Sequence, residues 1–199
     1  MKCNVIDTSD INKSRQNLDQ YDEIWLFGYG SLIYKVDFPF LDKQPACIYG
    51  WQRRFWQGSH DHRGTQENPG RVVTLVQIDQ NKDAMTEPCV GMAYQVSAEV
   101  FEHLDYREKN GYLRHEIPVE FVDGTIKQGL IYIADEANPA YLGEASVSDI
   151  AQQVFQSRGP SGENRDYLLE LARSLRALNA HDEHVFSIEQ HLLRFLQSA

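Results

Sequence analysis

The sequence lacks the usual means of holding a small extracellular domain together. Of its 199 residues only three are cysteines, Cys3, Cys47 and Cys89, and none forms a CxxC pair. That excludes a disulfide framework and points to a reducing compartment. Long apolar runs are missing as well. Nothing approaches the ~20 apolar residues of a membrane span, and the opening MKCNVIDTSDINKSRQNLDQYDE has no apolar core of signal-peptide length. Positive charge is in deficit: 19 Lys and Arg stand against 29 Asp and Glu, a net charge of −10. So acidic a chain lacks the basic face that nucleic acids and anionic membranes select. Repeats, low-complexity tracts and heptads are absent too. The expectation is a cytoplasmic protein with neither nucleic acid nor membrane as partner.

What is present suffices for one core, since 42% of the residues are hydrophobic. Residues 1–22 are polar and without period, and read as a loose or peripheral extension. Residues 23–199 read as a single domain. Six stretches carry strand composition: EIWLFGYGSLI, ACIYGWQRRFW, RVVTLVQID, CVGMAYQVS, HEIPVEFVDG and KQGLIYIAD. One helix, AEVFEHLDYREKN, interrupts them, with Ser97 as its candidate cap and Asn110-Gly111 as its stop. After Tyr141 the periodicity turns helical. Ser146-x-x-Asp149 opens one helix, Tyr167, Leu168, Leu171, Leu175 and Leu178 line a second, and DEHVFSIEQHLLRFLQ forms a third. Strands and helices do not alternate, so an antiparallel or mixed sheet is expected rather than a parallel one. The polar stretch Gln57–Gly70 is long for a connection in a compact domain, and such loops are often functional.

Standard motifs fail when tested. GYGSLI at Gly28–Ile33 has isoleucine where a dinucleotide loop needs its last glycine. No GK[ST] follows it, and it lacks both glycines of a nucleophile elbow around Ser31. His60-x-His62 and His181-x-x-His184 have no third ligand and read as solvated histidines, so no metal is expected. Cys47 and Cys89 sit in strand-like runs and read as core. Two features remain. The glycine-flanked turn after the first strand offers bare backbone N–H groups, which hold carboxylates or oxyanions. On the interrupting helix, Phe101, Leu104 and Glu108 fall at i, i+3 and i+7 and share the apolar face, with Arg107 and Lys109 pointing elsewhere. An inward carboxylate has a raised pKa and accepts protons near neutrality. The alternatives are a helix already ended by Glu108, or a structural ion pair with Arg107, Arg114 or another arginine. Pattern alone suggests cofactor-free acid–base chemistry on a small molecule and does not identify it.

Longer motifs add a resemblance. FGYGSLIYKVDFPF, RRFWQGSHDHRG, PGRVVTL, LDYREKNGY and GPSGENRDYLLEL, in order from about Ile24 to the C-terminal helices, resemble the ChaC-like, glutathione-specific γ-glutamylcyclotransferases. Departures are small: the family often has tryptophan at Tyr34, proline at Val36 and threonine at His60. The resemblance implies an α+β fold, a small mixed β-barrel of the γ-glutamylcyclotransferase type with packed helices and a helical C-terminal third. It implies a lyase reaction without cofactor: the γ-glutamyl group of glutathione cyclises to 5-oxoproline and cysteinylglycine leaves. It assigns the general acid/base to Glu108 and the γ-glutamyl head to the turn Phe27, Gly28, Tyr29, Gly30, Ser31 and Leu32. Tyr112 and Tyr167 fall in matching motifs as candidate pocket residues. For the glycyl carboxylate the candidates are Arg53, Arg54, Arg63 and Arg71, with Arg54 first. Two other readings stay open: the same chemistry on another γ-glutamyl compound, or a non-catalytic γ-glutamyl-binding regulator linked to cation transport. Oligomeric state is not legible.

Overall fold

The computed structural model describes residues 7–78 and 87–198. Cys3 and the start of the N-terminal extension lie outside the described residues. Among the described residues, seven strands of five residues or more are formed: β1 (Ile24–Gly28), β2 (Asp42–Ile48), β3 (Trp51–Ser59), β4 (Gly70–Gln77), β5 (Cys89–Val96), β6 (Leu113–Phe121) and β7 (Ile126–Ile133). Five close into a barrel in the order β1-β5-β2-β6-β7. All its pairings are antiparallel except β1 with β7, which is parallel at Leu26 and Leu130. Strands β3 and β4 form a separate antiparallel ribbon. This is the mixed barrel expected, with one difference in its strands. ACIYGWQRRFW is two strands in different sheets, because the chain bends at Tyr49-Gly50 with Gly50 at φ +79°.

β1 is buried on both faces, which explains its unbroken apolar run. Trp25 and Phe27 belong to a core shared with the ribbon and the C-terminal helices. Ile24 and Leu26 belong to a second core, completed by Tyr94, Leu130 and helix α2 (Val100–Arg107). The chain leaving β1 therefore emerges between two cores, and the glycine-flanked turn is held at that point. Helix α2 seats Phe101 and Leu104, 1% and 0% exposed, in the second core; burial of each side chain stabilises by about 1.5–3 kcal/mol. Ser97 does not cap it with its side chain. Its carbonyl accepts Val100 N–H at 3.2 Å instead.

The helical third follows the expected pattern. α3 (Val147–Gln156) is capped by Ser146, whose Oγ accepts Asp149 N–H at 3.1 Å. α4 (Asn164–Ala177) buries Tyr167, Leu168, Leu171 and Leu175, and α5 (Glu183–Ser198) packs on both. Cys89 is buried in the core, while Cys47 is only half-buried. No helix among the described residues is long and apolar enough to cross a membrane.

The N-terminal extension departs most from expectation. Residues 9–15 form a further helix, α1 (Ser9–Arg15), and Thr8 and Asn12 are buried. Their partners are backbone groups at the end of α2 and the start of β6, so the segment is polar in sequence yet docked.

Candidate active site

The turn after β1, the end of α2 and the loop between β3 and β4 surround one cavity of about 300 Å³. The turn approaches its neighbours too closely for side chains. A Cβ on Gly28 would stand 2.6 Å from Leu32 Cβ, and one on Gly30 would stand 3.0 Å from Val73 Cγ2. Residues Ser31–Ile33 make a single 3-10 turn whose first bond runs from Ile33 N–H to Gly30 O at 3.0 Å. The N–H groups of Gly30, Ser31 and Leu32 precede that bond and have no acceptor within the turn. All three residues line the cavity.

Phe27, Gly28 and Tyr29 line the cavity as well, and the larger side chains of the turn also build the scaffold. Phe27 is part of the core. Tyr29 buries its ring and donates its hydroxyl to Tyr132 O at 2.9 Å, and burial holds that phenol well above its usual pKa. Leu32 is buried, and its carbonyl accepts Tyr94 O–H at 2.6 Å. Tyr112 and Tyr167 both line the cavity. Their hydroxyls meet opposite edges of Val73: Tyr112 donates to Val73 O and Tyr167 accepts Val73 N–H, each at 3.4 Å.

Glu108 occupies the C-cap of α2, at φ −94° and ψ 11°. The helix has thus ended at this residue, yet the carboxylate still faces the cavity, and 19% of its side chain is exposed. Burial pushes its pKa upward. The Arg107 guanidinium and His62 pull against that, while Asp37 and Asp61 add to it. The expectation for Arg107 was wrong. Because α2 stops there, its side chain swings to the cavity beside Glu108, with Nε 3.3 Å from Oε1. Its other nitrogens donate to Asp37 and, at 3.2 Å, to Ser31 Oγ. One guanidinium thereby joins the carboxylate to the turn. Lys109 does point away, its ammonium 3.9 Å from the centre of the Tyr106 ring.

Loop residues His60, Asp61, His62, Arg63 and Gln66 form the opposite wall. Asp61 accepts a hydrogen bond from Asn110, two residues beyond Glu108. Arg63 is the one arginine of the four candidates that reaches the cavity; it donates to Glu163 O at 2.9 Å and lies over the Tyr167 ring. Arg53 is buried and donates to Tyr29 O and Val90 O, both at 2.6 Å, and to Asp182. Arg71 donates to Gln153 Oε1, Phe55 O and Gly143 O. Arg54 is not brought to the site. It lines a second cavity with Trp51, Trp56 and His184, stacked 5.9 Å from the Trp56 ring centre. Among the described residues no three of His, Cys, Asp and Glu are grouped to hold a metal. His184 accepts Phe55 N–H at 3.0 Å, and burial pushes its pKa down to about 4.

Lys35, Asp37, Asn110 and Arg107 line the cavity and were not anticipated. Three of them flank anticipated residues in sequence: Lys35 and Asp37 follow the turn, and Arg107 precedes Glu108. An inward carboxylate, turn N–H groups with no acceptor within the turn and flanking cations in one small cavity can bind an anionic molecule and move a proton on it.

The ChaC-like protein family model matches residues 24–194. The chain is 42% identical over 181 residues to a glutathione-specific gamma-glutamylcyclotransferase 1 of Danio rerio, covering 85% of this chain and 89% of the relative. It is 40% identical over 189 residues to gamma-glutamylcyclotransferase 2-3 of Arabidopsis thaliana, covering 88% and 92%. A crystal structure of a gamma-glutamyl cyclotransferase specific to glutathione from yeast superposes with a TM-score of 0.79 at 29% identity, covering 88% of this chain and 97% of that one.

Proposed function

The chain belongs to the ChaC-like family, and from that premise we propose that it is a glutathione-specific γ-glutamylcyclotransferase with Glu108 as its general acid/base. One observation carries the reading: Glu108 and the Gly30–Leu32 turn, whose N–H groups have no acceptor within the turn, line the same cavity. The substrate supplies its own nucleophile. The α-amine nitrogen attacks the γ-carbonyl carbon, a five-membered ring closes, and the γ-amide C–N bond breaks. 5-Oxoproline and cysteinylglycine result.

The amine arrives mostly as ammonium, since a peptide α-amine has a pKa of about 8. Glu108 takes its proton and returns one to the leaving amide nitrogen. A carboxyl raised by burial is better matched to both transfers than one at its ordinary value. The turn's N–H groups bind the α-carboxylate and hold the ring-closing conformer. An internal attack so oriented can lower the barrier by roughly 7–11 kcal/mol. Arg63 and Lys35 supply positive charge for the second carboxylate, the part first given to Arg54. The unpaired thiols fit a reducing, cytoplasmic setting.

The test is to incubate the purified protein with glutathione at neutral pH and quantify 5-oxoproline beside Glu108→Gln. Product from wild type and none from the folded variant is the expected result. Product from both removes Glu108 from the chemistry. Product from neither removes glutathione as substrate, and binding of γ-glutamyl ligands is measured next.

A further inference from the structure

Helix α2 ends at the residue proposed as base. The last carbonyls of any helix lack partners inside it, and here the chain turns at once through Gly111, at φ +90°, into β6. Residues from the N-terminal extension bond one carbonyl inside α2, Asp105 O, and several backbone groups of the turn after it. Thr8 N–H donates to Lys109 O at 2.9 Å. Thr8 Oγ1 lies 3.0 Å from both Lys109 O and Tyr112 O. Ser9 Oγ donates to Asp105 O at 3.3 Å. Asn12 donates through Nδ2 to Tyr112 O at 2.9 Å and accepts Arg114 N–H at 2.8 Å through Oδ1. Asp7 forms an isolated bridge with Asn110. Thr8 and Asn12 are 3% and 0% exposed.

A tail that merely packs on a surface does so through apolar side chains. Here the buried side chains are polar, and their partners are backbone groups of residues 109–114. That stretch adjoins Glu108 and includes Asn110 and Tyr112, both of which line the cavity. The segment also grips from below. Arg114, 1% exposed, donates to Asn12 O at 2.6 Å and to Gln16 Oε1 at 2.8 Å while facing Asp105 at 3.4 Å.

We propose that residues 7–16 brace the end of α2 by bonding the backbone of the turn that follows it, and so position the base, with Thr8 and Asn12 as the positioning residues. The segment lies ahead of residues 24–194, which the family model matches. Neither residue touches the cavity, so each acts through the 108–112 turn.

The inference rests on Glu108 being the base, and its test separates the two. Full-length Thr8→Val keeps the side-chain shape and loses the hydroxyl, Thr8→Ser restores it, and Asn12→Ala removes the second clamp. Lys13→Ala, on the exposed face of α1, is the control. Two quantities are read: kcat and KM for glutathione, and amide hydrogen exchange at residues 109–112. Thr8→Val and Asn12→Ala should each lose about tenfold in kcat with KM within about twofold. Thr8→Ser and Lys13→Ala should match wild type. Exchange at 109–112 should accelerate in the two damaged variants alone. Wild-type kcat and unchanged exchange in folded Thr8→Val and Asn12→Ala overturn the proposal, as does an equal loss in Thr8→Ser. If Thr8→Val does not fold, Asn12→Ala carries the decision. An inactive wild type in which Thr8→Val still loses protection refutes the glutathione reading and leaves the brace standing.

Discussion

Two carboxylates stand one turn apart on the same helix and have opposite fates. Asp105 and Glu108 are both largely buried, and burial is the main cause of a raised pKa in each. Asp105 is enclosed by partners: Tyr132 O–H donates to it at 2.5 Å and Arg114 lies at 3.4 Å, itself 1% exposed. Glu108 meets one arginine on one side and open cavity on the other. Burial with complete partners makes a structural carboxylate. Burial with a vacant side toward a cavity makes a reactive one, so the pKa direction alone does not tell them apart.

The sharpest way to break this comparison is to neutralise each in turn. Glu108→Gln should lower kcat by about 10²–10⁴-fold and leave the fold intact. Its effect on stability follows from proton linkage. The folded carboxyl has a value above the unfolded one, so the native state holds its proton to higher pH. That contribution is full below the ordinary carboxyl range and is lost as pH rises through the raised folded value. Glu108→Gln removes the loss. It should melt no lower than wild type at neutral pH, with the difference shrinking in acid. A variant that melts lower at neutral pH would make Glu108 a structural partner of Arg107. Asp105→Asn should do the reverse, costing about 3–5 kcal/mol, because it leaves the buried Arg114 without its counter-charge. Denaturant titration measures that, and any loss of activity should follow the unfolded fraction.

Arg107 sharpens the contrast at a smaller scale, since it belongs to Glu108 as Arg114 belongs to Asp105. Arg107→Gln should lower kcat/KM by about tenfold and move the acid limb of the pH profile to higher pH, because a cation that favours the carboxylate has gone. Asp61→Asn should move that limb the other way. The groups facing Glu108 are Arg107 on α2, His62 and Asp61 on the loop, Asp37 after the turn, and the Tyr29, Tyr112 and Tyr132 phenols. A limb that stays fixed in both variants would belong to another group.

Period and composition reveal what depends on one segment at a time. The strands, the three late helices and the inward face of Phe101, Leu104 and Glu108 were legible for that reason. Tyr49-Gly50 was hidden because the apolar run on either side is continuous. Arg107 defeats the helical wheel because it is the last residue of α2, next to the C-cap Glu108, and where a helix stops is not fixed to the residue by periodicity. Thr8 and Asn12 looked like the polar residues of a loose tail. Their burial is explained only by carbonyls some hundred residues away, which no local pattern displays.

Arg54 is the last and smallest test, and it sets two cavities side by side rather than two carboxylates. The cavity it lines, about 570 Å³, is the larger of the two. Yet many of its charged groups are already engaged: Arg53 with Asp182, His181 with Glu87, and His184 with Phe55 N–H. Arg54 itself is held by Gln52, by Arg53 O and by the Trp56 ring. The smaller cavity holds a carboxylate with a single arginine partner and a turn whose N–H groups have no acceptor within it, and by that measure it is the proposed site. Arg54→Ala should therefore leave kcat and KM for glutathione within about twofold and cost only the ~1 kcal/mol of a half-buried cation–π stack. A large rise in KM would mean that the second carboxylate of the substrate is read from the far side of the ribbon, and that unengaged polar groups are the wrong criterion for choosing between the cavities.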